Sequence, residues 1–169
     1  MKKQFKILTE TKGSSLALCF YKAFNTKSTP LDWAIGLFSL GKYSHVELGF
    51  RNNDGSYDLF SVSSSRTSSF INKTHLDYQW EVIPLDNVHL DDIRNMRKYI
   101  LRNMLGKKYS VIGALFSIFR LRHDLEDKYY CSEIVTKVLK EFKLYDGRQC
   151  FNTTPSYLYK YSIRNYKRS

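Results

Sequence analysis

A cysteine and a histidine in this 169-residue chain have the types and settings expected of a nucleophile and its base. Apolar residues follow Cys131 with the spacing of one helix face: Ile134, Val135, Val138, Leu139 and Phe142. Cys131 is therefore predicted at a helix N-terminus, where unpaired backbone N–H groups and the helix dipole favour an anion such as a thiolate. This stretch leaves open an alternative, a small buried residue that begins a core helix.

His45 is predicted to lie in the middle of a strand, on its polar face. Residues 44–50 alternate, with Val46, Leu48 and Phe50 on one face and with His45 and Glu47 on the other. The other histidines fall in predicted loops or before helices, where solvated surface residues are expected: His75, His89 and His123. A His beside a Cys thiolate supports attack on a carbonyl carbon, since the imidazolium holds the thiolate and then protonates the leaving group.

The strand that returns from His45 is placed by its turn residues. A three-residue loop over 53–55, with Gly55 in the left-handed conformation, puts His45 opposite Ser63 and Glu47 opposite Ser61. A two-residue loop would shift the register by one position. The hydrophobic pattern favours the three-residue loop, because that register places the apolar residues of both strands on a common side.

The third catalytic group, which would orient the imidazole, is left open between Ser63 and Glu47. The Ser63 hydroxyl can accept the ring N–H but carries no charge to stabilise an imidazolium. Glu47 carries the charge, although its side chain is expected to run parallel to the ring of His45 rather than toward it. The Cys–His pair is therefore the firmer part of the predicted site.

Four further hydroxyl residues are candidate substrate contacts. Tyr21 and Tyr43 are candidates to help bind the oxyanion, together with the backbone N–H of Cys131. Ser61 and Ser132 stand on the predicted return strand and directly after the nucleophile. We expect neither a metal nor a cofactor, because the three cysteines show no Cys-x-x-Cys spacing.

Composition bounds the compartment and the partners. An odd number of cysteines, three, favours a reducing compartment, and no apolar segment of a secretory signal follows the basic N-terminus. The longest apolar tract, residues 111–121, is too short to span a bilayer. We therefore expect a cytoplasmic protein with no transmembrane segment, or one in host cytoplasm or a virion if its source is viral.

The net charge of +11 predicts contact with polyanions through a basic surface, without choosing among nucleic acid, anionic lipid and cell-wall polymer. No recognised nucleic-acid-binding motif is present. Residues 159–169 mix aromatic and basic side chains, as single-strand binders do, but are expected to form a solvated basic tail.

Element by element, the pattern predicts one domain without internal repeats. Strands are expected over 14–21, 44–50, 57–63 and 78–85, with a Ser/Thr-rich surface loop over 64–77. Helices are expected over 30–40, from a cap at Asp91-Asp92 to Gly106, over about 109–119, from Cys131, and over 156–161. A charged loop over 120–128 leads to Cys131.

The order of these motifs resembles that of the circularly permuted NlpC-type papain-like proteins, which include YiiX/YaeF-like bacterial proteins, a poxvirus family and many short phage proteins. The resemblance covers about residues 15–160. The matching segments are Tyr43-Ser44-His45-Val46-Glu47-Leu48, Phe60-Ser61-Val62-Ser63, Gly106-Lys107-Lys108-Tyr109 and Tyr130-Cys131-Ser132-Glu133. Cys131 follows His45 by 86 positions, a spacing that also fits the family.

The resemblance implies a single permuted papain-like domain over 1–169, of α+β class, in which an antiparallel sheet packs against the helix that begins with the nucleophile. It implies a cysteine hydrolase of the amidase or peptidase type, or an acyltransferase, acting on peptide, cell-wall peptide or lipid carbonyls. Many relatives carry a Glu on the strand after the His strand, whereas this chain has Ser61 and Ser63 there. That departure keeps an alternative function open, a binding or virion-associated protein that retains the fold without catalysis.

Overall fold

The computed structural model describes residues 16–24, 41–86, 88–114 and 127–166, together with Pro30 and Trp33. The chain is α+β. An antiparallel sheet is formed by β1 (Leu16–Lys22), β2 (Tyr43–Arg51), β3 (Tyr57–Ser63), β4 (Arg66–Lys73) and β5 (Trp80–Pro84), in the order β4-β3-β2-β1-β5. The helices are α1 (Leu90–Tyr99), α2 (Cys131–Glu141) and α3 (Pro155–Tyr166), and a short parallel pair joins β6 (Lys108–Tyr109) to β7 (Lys128–Tyr129).

The sheet has two buried faces, and the strands divide their side chains between them. Even-numbered residues of β1, such as Leu18 and Phe20, belong to the main core, which also contains the buried face of α2. Ala17 and Cys19 belong to a smaller cluster with Leu59 on the other face. The alternation predicted for β2 and β3 is confirmed, since their even-numbered apolar residues all lie in the main core.

The hairpin between β2 and β3 has the predicted three-residue loop. The Asn52 amide donates to the Ser56 carbonyl at 2.8 Å, and Gly55 has a φ of +82°. Arg51 pairs with Tyr57, which is the register favoured by the hydrophobic pattern, and the two-residue alternative is wrong. Left-handed backbone at this position costs little because glycine has no Cβ.

The prediction of a surface loop over residues 64–77 is wrong, because most of this segment forms β4. The strand pairs with β3 at the edge of the sheet, and its Ser68 exchanges backbone hydrogen bonds with Gly106 and Lys107. The Ser68 hydroxyl also donates to the carbonyl of Met104 at 2.5 Å. An edge strand held largely by backbone and hydroxyl bonds needs no apolar alternation, so its sequence reads as a loop.

Helix α1 begins at Leu90, one residue before the predicted Asp91-Asp92 cap. His89 holds the N-cap position without a side-chain cap bond to the described residues, while Asp91 and Asp92 lie in the first turn. The helix continues as a π-helical segment over Ile100–Met104, and the chain then turns at Gly106, whose φ is +78°. The predicted end of this helical region at Gly106 is therefore close to the observed one.

Helix α3 extends past the short helix predicted over 156–161 and takes in most of the predicted tail. Residues 159–166 are helical, and Leu158 and Ser162 are fully buried. The ring of Tyr159 packs on that of Tyr43, with 4.3 Å between centroids. The aromatic residues of the predicted tail therefore pack mostly against the core. Residues 167–169 lie outside the described part of the chain.

Three predictions fall largely on residues outside the described ranges. Of the helix predicted over 30–40, Pro30 and Trp33 are helical, and of the one over 109–119 residues 111–114 are helical. The charged loop is described only from residue 127 onward. Within the described ranges, no helix combines the length and apolar character needed to cross a membrane.

Candidate active site

Cys131 is the first residue of α2, as predicted. Tyr130 precedes it in extended conformation, with φ −106° and ψ 168°, and its carbonyl accepts the first helical bond from the Ile134 amide at 3.0 Å. The Ser132 hydroxyl fastens the first turn by donating to the Thr153 carbonyl at 2.5 Å. Cys131 is 2% exposed, so its thiol lies at the edge of the core rather than on an open surface.

A β-bulge at Ser44 brings the His strand to the thiol. Tyr21 of β1 pairs with His45, but the next residue, Lys22, pairs with Tyr43, so Ser44 is an extra residue in β2. In a regular strand Tyr43 and His45 would share a face. The bulge instead lets Tyr43 join the main core, and it places the Ser44 carbonyl oxygen 3.9 Å from Sγ of Cys131.

His45 is held by Glu47, which lies two positions along the same strand. Nε2 of His45 donates to Oε1 of Glu47 at 3.1 Å, so the carboxylate turns toward the ring, contrary to the expected parallel course. This bond leaves Nδ1 as the ring nitrogen available to the thiol. The His side chain is 17% exposed and that of Glu47 is 4% exposed.

The charge on His45 is set by two opposing influences. Burial alone would lower the pKa of the imidazole, but the adjacent Cys131 thiolate and the Glu47 carboxylate raise it to about 10. An imidazolium that persists across the neutral range is the partner that a thiolate requires. The three side chains therefore form one electrostatic unit, although they come from two separate elements.

Arg66, the first residue of β4, adds a second cation to this group of side chains by contacting Glu47. Its Nη2 donates to the same Oε1 of Glu47 that accepts from His45. Burial opposes ionisation of Glu47, but the bond and charge of His45, followed by the charges of Arg66 and Lys73, hold the pKa of this carboxyl below its usual range. Glu47 is thus a buried carboxylate between two cationic side chains.

Two buried polar atoms at the site have no hydrogen-bond partner among the described residues, Oε2 of Glu47 and Oγ of Ser44. Both side chains stand on β2, on either side of His45. The Ser44 hydroxyl belongs to the residue whose carbonyl oxygen contacts the thiol. Buried polar atoms are nearly always paired in proteins, so these two atoms have unused capacity for a hydrogen bond beside His45.

Ser63 does not lie where a third catalytic group would be needed. Its hydroxyl forms a hydrogen bond with that of Ser65 at 3.1 Å in an exposed turn, and its backbone pairs with Arg66. Strand β2 pairs with β3 from Leu48 to Arg51, so the paired residues do not include His45 or Ser63. Glu47 occupies the position that the sequence left open between the two residues.

Three of the four predicted substrate contacts are buried and already engaged by the protein. The Tyr43 hydroxyl donates to the Glu81 carboxylate within the main core, and burial, followed by that bond, raises the pKa of its phenol. The Ser61 hydroxyl donates to the Val46 carbonyl at 2.9 Å, and Ser132 fastens α2. These three residues shape the site from within the structure instead of facing a substrate.

Tyr21 is the fourth predicted substrate contact, and it stays beside the site. It is the cross-strand neighbour of His45, it is partly exposed, and its hydroxyl donates to Oε1 of Gln79 at 3.0 Å. The Gln79 side chain is 1% exposed, and its Nε2 has no partner among the described residues. An amide donor therefore stands next to the predicted oxyanion residue.

The residues that sequence reasoning missed are Arg66 and the bulge residue Ser44. Arg66 stood in the segment read as a loop, so nothing in the local pattern connected it with Glu47, 19 positions earlier. Ser44 interrupts the alternation with a polar residue at an even position, but a polar residue at the start of a strand does not by itself indicate a bulge. The sequence contains a Glu on a predicted strand and a later Arg between Ser65 and Thr67, and this is the signal that could have suggested the pair.

All three cysteines are free, and burial raises the pKa of the Cys19 thiol above its usual value. Within the described ranges, no group of three or more His, Cys, Asp or Glu side chains is placed to hold a metal ion. What the geometry offers is a buried thiol, an imidazole and a buried carboxylate. Comparison of the chain with protein-family models, with curated proteins and with solved structures gave no match.

Proposed function

We propose that this protein is a cysteine hydrolase or thiol acyltransferase in which Cys131 is the nucleophile and His45 is the base. The observation that carries the proposal is the placement of the His45 imidazole between the Cys131 thiol and the Glu47 carboxylate, whose Oε1 is 3.1 Å from Nε2. A hydrogen-bonded imidazole beside a thiol at a helix start is the arrangement that activates sulfur for attack on carbon.

The reaction starts from the ion pair in which His45 holds the proton and Cys131 is the thiolate. Sγ of Cys131 then forms a bond to the carbonyl carbon of the substrate, and the carbonyl electron pair moves to oxygen. When this intermediate collapses, the bond to the leaving amine or alcohol breaks and the leaving group takes the proton from His45. Attack of water on the resulting thioester, with His45 taking a proton from the water, releases the acid and restores the thiolate.

The substrate class is an amide or ester of a peptide, a cell-wall peptide or a lipid acyl group. An alcohol or amine that replaces water in the second step makes the same site an acyltransferase. In this proposal the backbone N–H of Cys131 stabilises the oxyanion, because amides at a helix start have no partner within the helix. An antiparallel sheet packed against a helix that begins with the nucleophile agrees with the permuted NlpC-type papain-like fold, and that fold is part of this proposal.

Competition among the three cysteines for a small alkylating reagent tests the assignment. Exposure alone ranks Cys150 first, at 9%, ahead of Cys131 at 2% and Cys19 at 0%. We expect Cys131 to label first in mildly acidic buffer, because thiolates react and neutral thiols do not. Mass mapping after brief treatment gives the order, and faster labelling of Cys150 would contradict the proposal.

Burial of the thiol favours a second candidate, a protein that retains this fold to bind a ligand without cleaving it. The 2% exposure of Cys131 leaves little room for a substrate carbonyl unless the site opens. A panel of peptide, cell-wall and acyl-ester substrates separates the two functions, because the enzyme accumulates an acyl adduct on Cys131 that mass spectrometry detects. Fast labelling of Cys131 without any adduct on the whole panel would favour the binding protein.

A further inference from the structure

We propose that Arg66 is a positioning residue for the base: it keeps Glu47 charged and in place, and through Glu47 it keeps His45 oriented toward Cys131. The inference rests on the proposed function of Cys131 and His45. It assigns to β4, the edge strand, a part in the site that its sequence gives no reason to expect.

The guanidinium of Arg66 is fixed by the strands on which it lies. Nη1 donates to the carbonyl oxygen of Ser69 at 3.2 Å and to the Ser69 hydroxyl at 3.1 Å, and it lies 3.5 Å from the carbonyl oxygen of Ser61. Nη2 is thereby aimed at Oε1 of Glu47, which accepts from it. Because the anchors are mostly backbone atoms of β3 and β4, the cation is held in position before any ligand binds.

Glu47 depends on the cations bonded to it, Arg66 and protonated His45, because burial opposes its charge. Its side chain is 4% exposed, and its Oε2 has no hydrogen-bond partner among the described residues. The pKa of Glu47 is lowered by His45 on β2 and by Arg66 and Lys73 on β4. Glu47 in turn raises the pKa of the buried Cys19 thiol on β1. Arg66 is the β4 cation that contacts the carboxylate directly.

Loss of the Arg66 charge should therefore raise the pKa of Glu47 and release its carboxylate from the bond that fixes it beside His45. A carboxylate that is no longer fixed holds the imidazolium of His45 less firmly. His45 would then be less firmly oriented toward the Cys131 thiol. Arg66 acts on the thiol through this chain of contacts, without touching it.

The test is the pH dependence of Cys131 alkylation in Arg66→Gln and Arg66→Lys, measured by mass mapping. We expect the acidic midpoint of labelling to move upward in Arg66→Gln, by about one pH unit at most, because an imidazolium that is loosely held stabilises the adjacent thiolate less. Arg66→Lys keeps the charge and should move the midpoint less. An unchanged midpoint in Arg66→Gln would overturn the inference.

Arg97→Gln is the matched control. Arg97 also donates through Nη2 to a carboxylate, that of Asp58, and the two side chains are 24% and 19% exposed, close to the 20% of Arg66. Its removal should lower stability in denaturant while leaving the labelling midpoint in place. A similar shift in Arg97→Gln would show that loss of stability, and not loss of the Glu47 contact, moves the midpoint.

A double-mutant cycle with Glu47→Gln decides whether Arg66 acts through Glu47. In that background, Arg66→Gln should cause no further shift, and a full additional shift would contradict the inference. If Arg66→Gln does not fold, the same cycle with the neutral Arg66→Met decides. His45→Ala separates the two proposals, because an unchanged profile there refutes the Cys–His pair, whereas a shift there with none in the Arg66 variants refutes only the role of Arg66.

Discussion

Replacement of Glu47 by Gln tests the centre of the site with little change in shape. The amide keeps the size of the side chain and an acceptor oxygen but removes the charge that faces Nε2 of His45 across 3.1 Å. In the native protein this charge and the Cys131 thiolate hold the pKa of His45 at about 10 against the effect of burial. We expect Glu47→Gln to lower this pKa and leave the thiolate as the remaining source of the upward shift.

The size of the change follows from the kind of hydrogen bond that is lost. A bond between charged groups contributes about 1.5–3 kcal/mol, against about 0.5–1.5 kcal/mol for a neutral one. The amide still accepts a bond, so the loss is the difference, about 1–1.5 kcal/mol; since one pKa unit corresponds to about 1.4 kcal/mol, the pKa of His45 should fall by about one unit. Ser63→Ala should have almost no effect, because the Ser63 hydroxyl bonds to Ser65 and not to the ring.

Nuclear magnetic resonance of the ¹⁵N-labelled ring nitrogens follows the protonation of His45 directly and needs no substrate. Titration of the native protein, Glu47→Gln and Ser63→Ala gives three midpoints for comparison. A midpoint in Glu47→Gln within a few tenths of a unit of the native value would refute the role assigned to Glu47. A larger shift in Ser63→Ala than in Glu47→Gln would restore Ser63 as the third group.

Three further predictions concern stability. Because the folded-state pKa of Glu47 lies below its usual value of 4.5, its contribution to stability is present above that pH and is lost as the pH falls. In urea unfolding at acidic pH, the free energy of unfolding of Glu47→Gln should therefore change less steeply with pH than that of the native protein, by up to about 1.4 kcal/mol per pH unit. Gly49→Ala would place a Cβ 2.9 Å from Sγ of Cys19 and should cost about 1–3 kcal/mol, with partial recovery on adding Cys19→Ala. Tyr43→Phe removes a hydrogen bond to the Glu81 carboxylate and should lower the free energy of unfolding in denaturant by about 1.5–3 kcal/mol. The labelling midpoint of Cys131 should stay unchanged, and a moved midpoint would mean that Tyr43 belongs to the site.

The parts of the fold that were predictable from sequence are those governed by local pattern. The alternation along β2, the hairpin ending at Gly55 and the apolar face after Cys131 each depend on residues close together in the chain. Burial of one face is enough to set the register of a strand, because a slip by one residue exposes every apolar side chain. For this reason His45 and Cys131 could be placed on their elements in advance.

The parts that were not predictable depend on pairing between distant segments. Strand β4 is polar because it lies at the sheet edge, where backbone bonds to β3 and to the Gly106 region replace an apolar face. The direction of the Glu47 side chain could not be inferred without Arg66, which lies two strands away on β4 and donates a hydrogen bond to the carboxylate. The bulge at Ser44 arises from how β1 and β2 pair, and neither strand shows it alone.

The closeness of His45 and Glu47 along one strand has a consequence for the order in which the site is assembled. The base and its carboxylate are neighbours as soon as β2 forms, whereas Cys131 reaches Ser44 across 87 positions of sequence. Until α2 docks on the sheet, the Cys131 thiol has no contact with β2 and the proposed base has no thiol beside it. If the proposed function is right, fast alkylation of Cys131 reports completion of the fold, and it should disappear in mild denaturant as soon as α2 separates from β2, even while the hairpin persists.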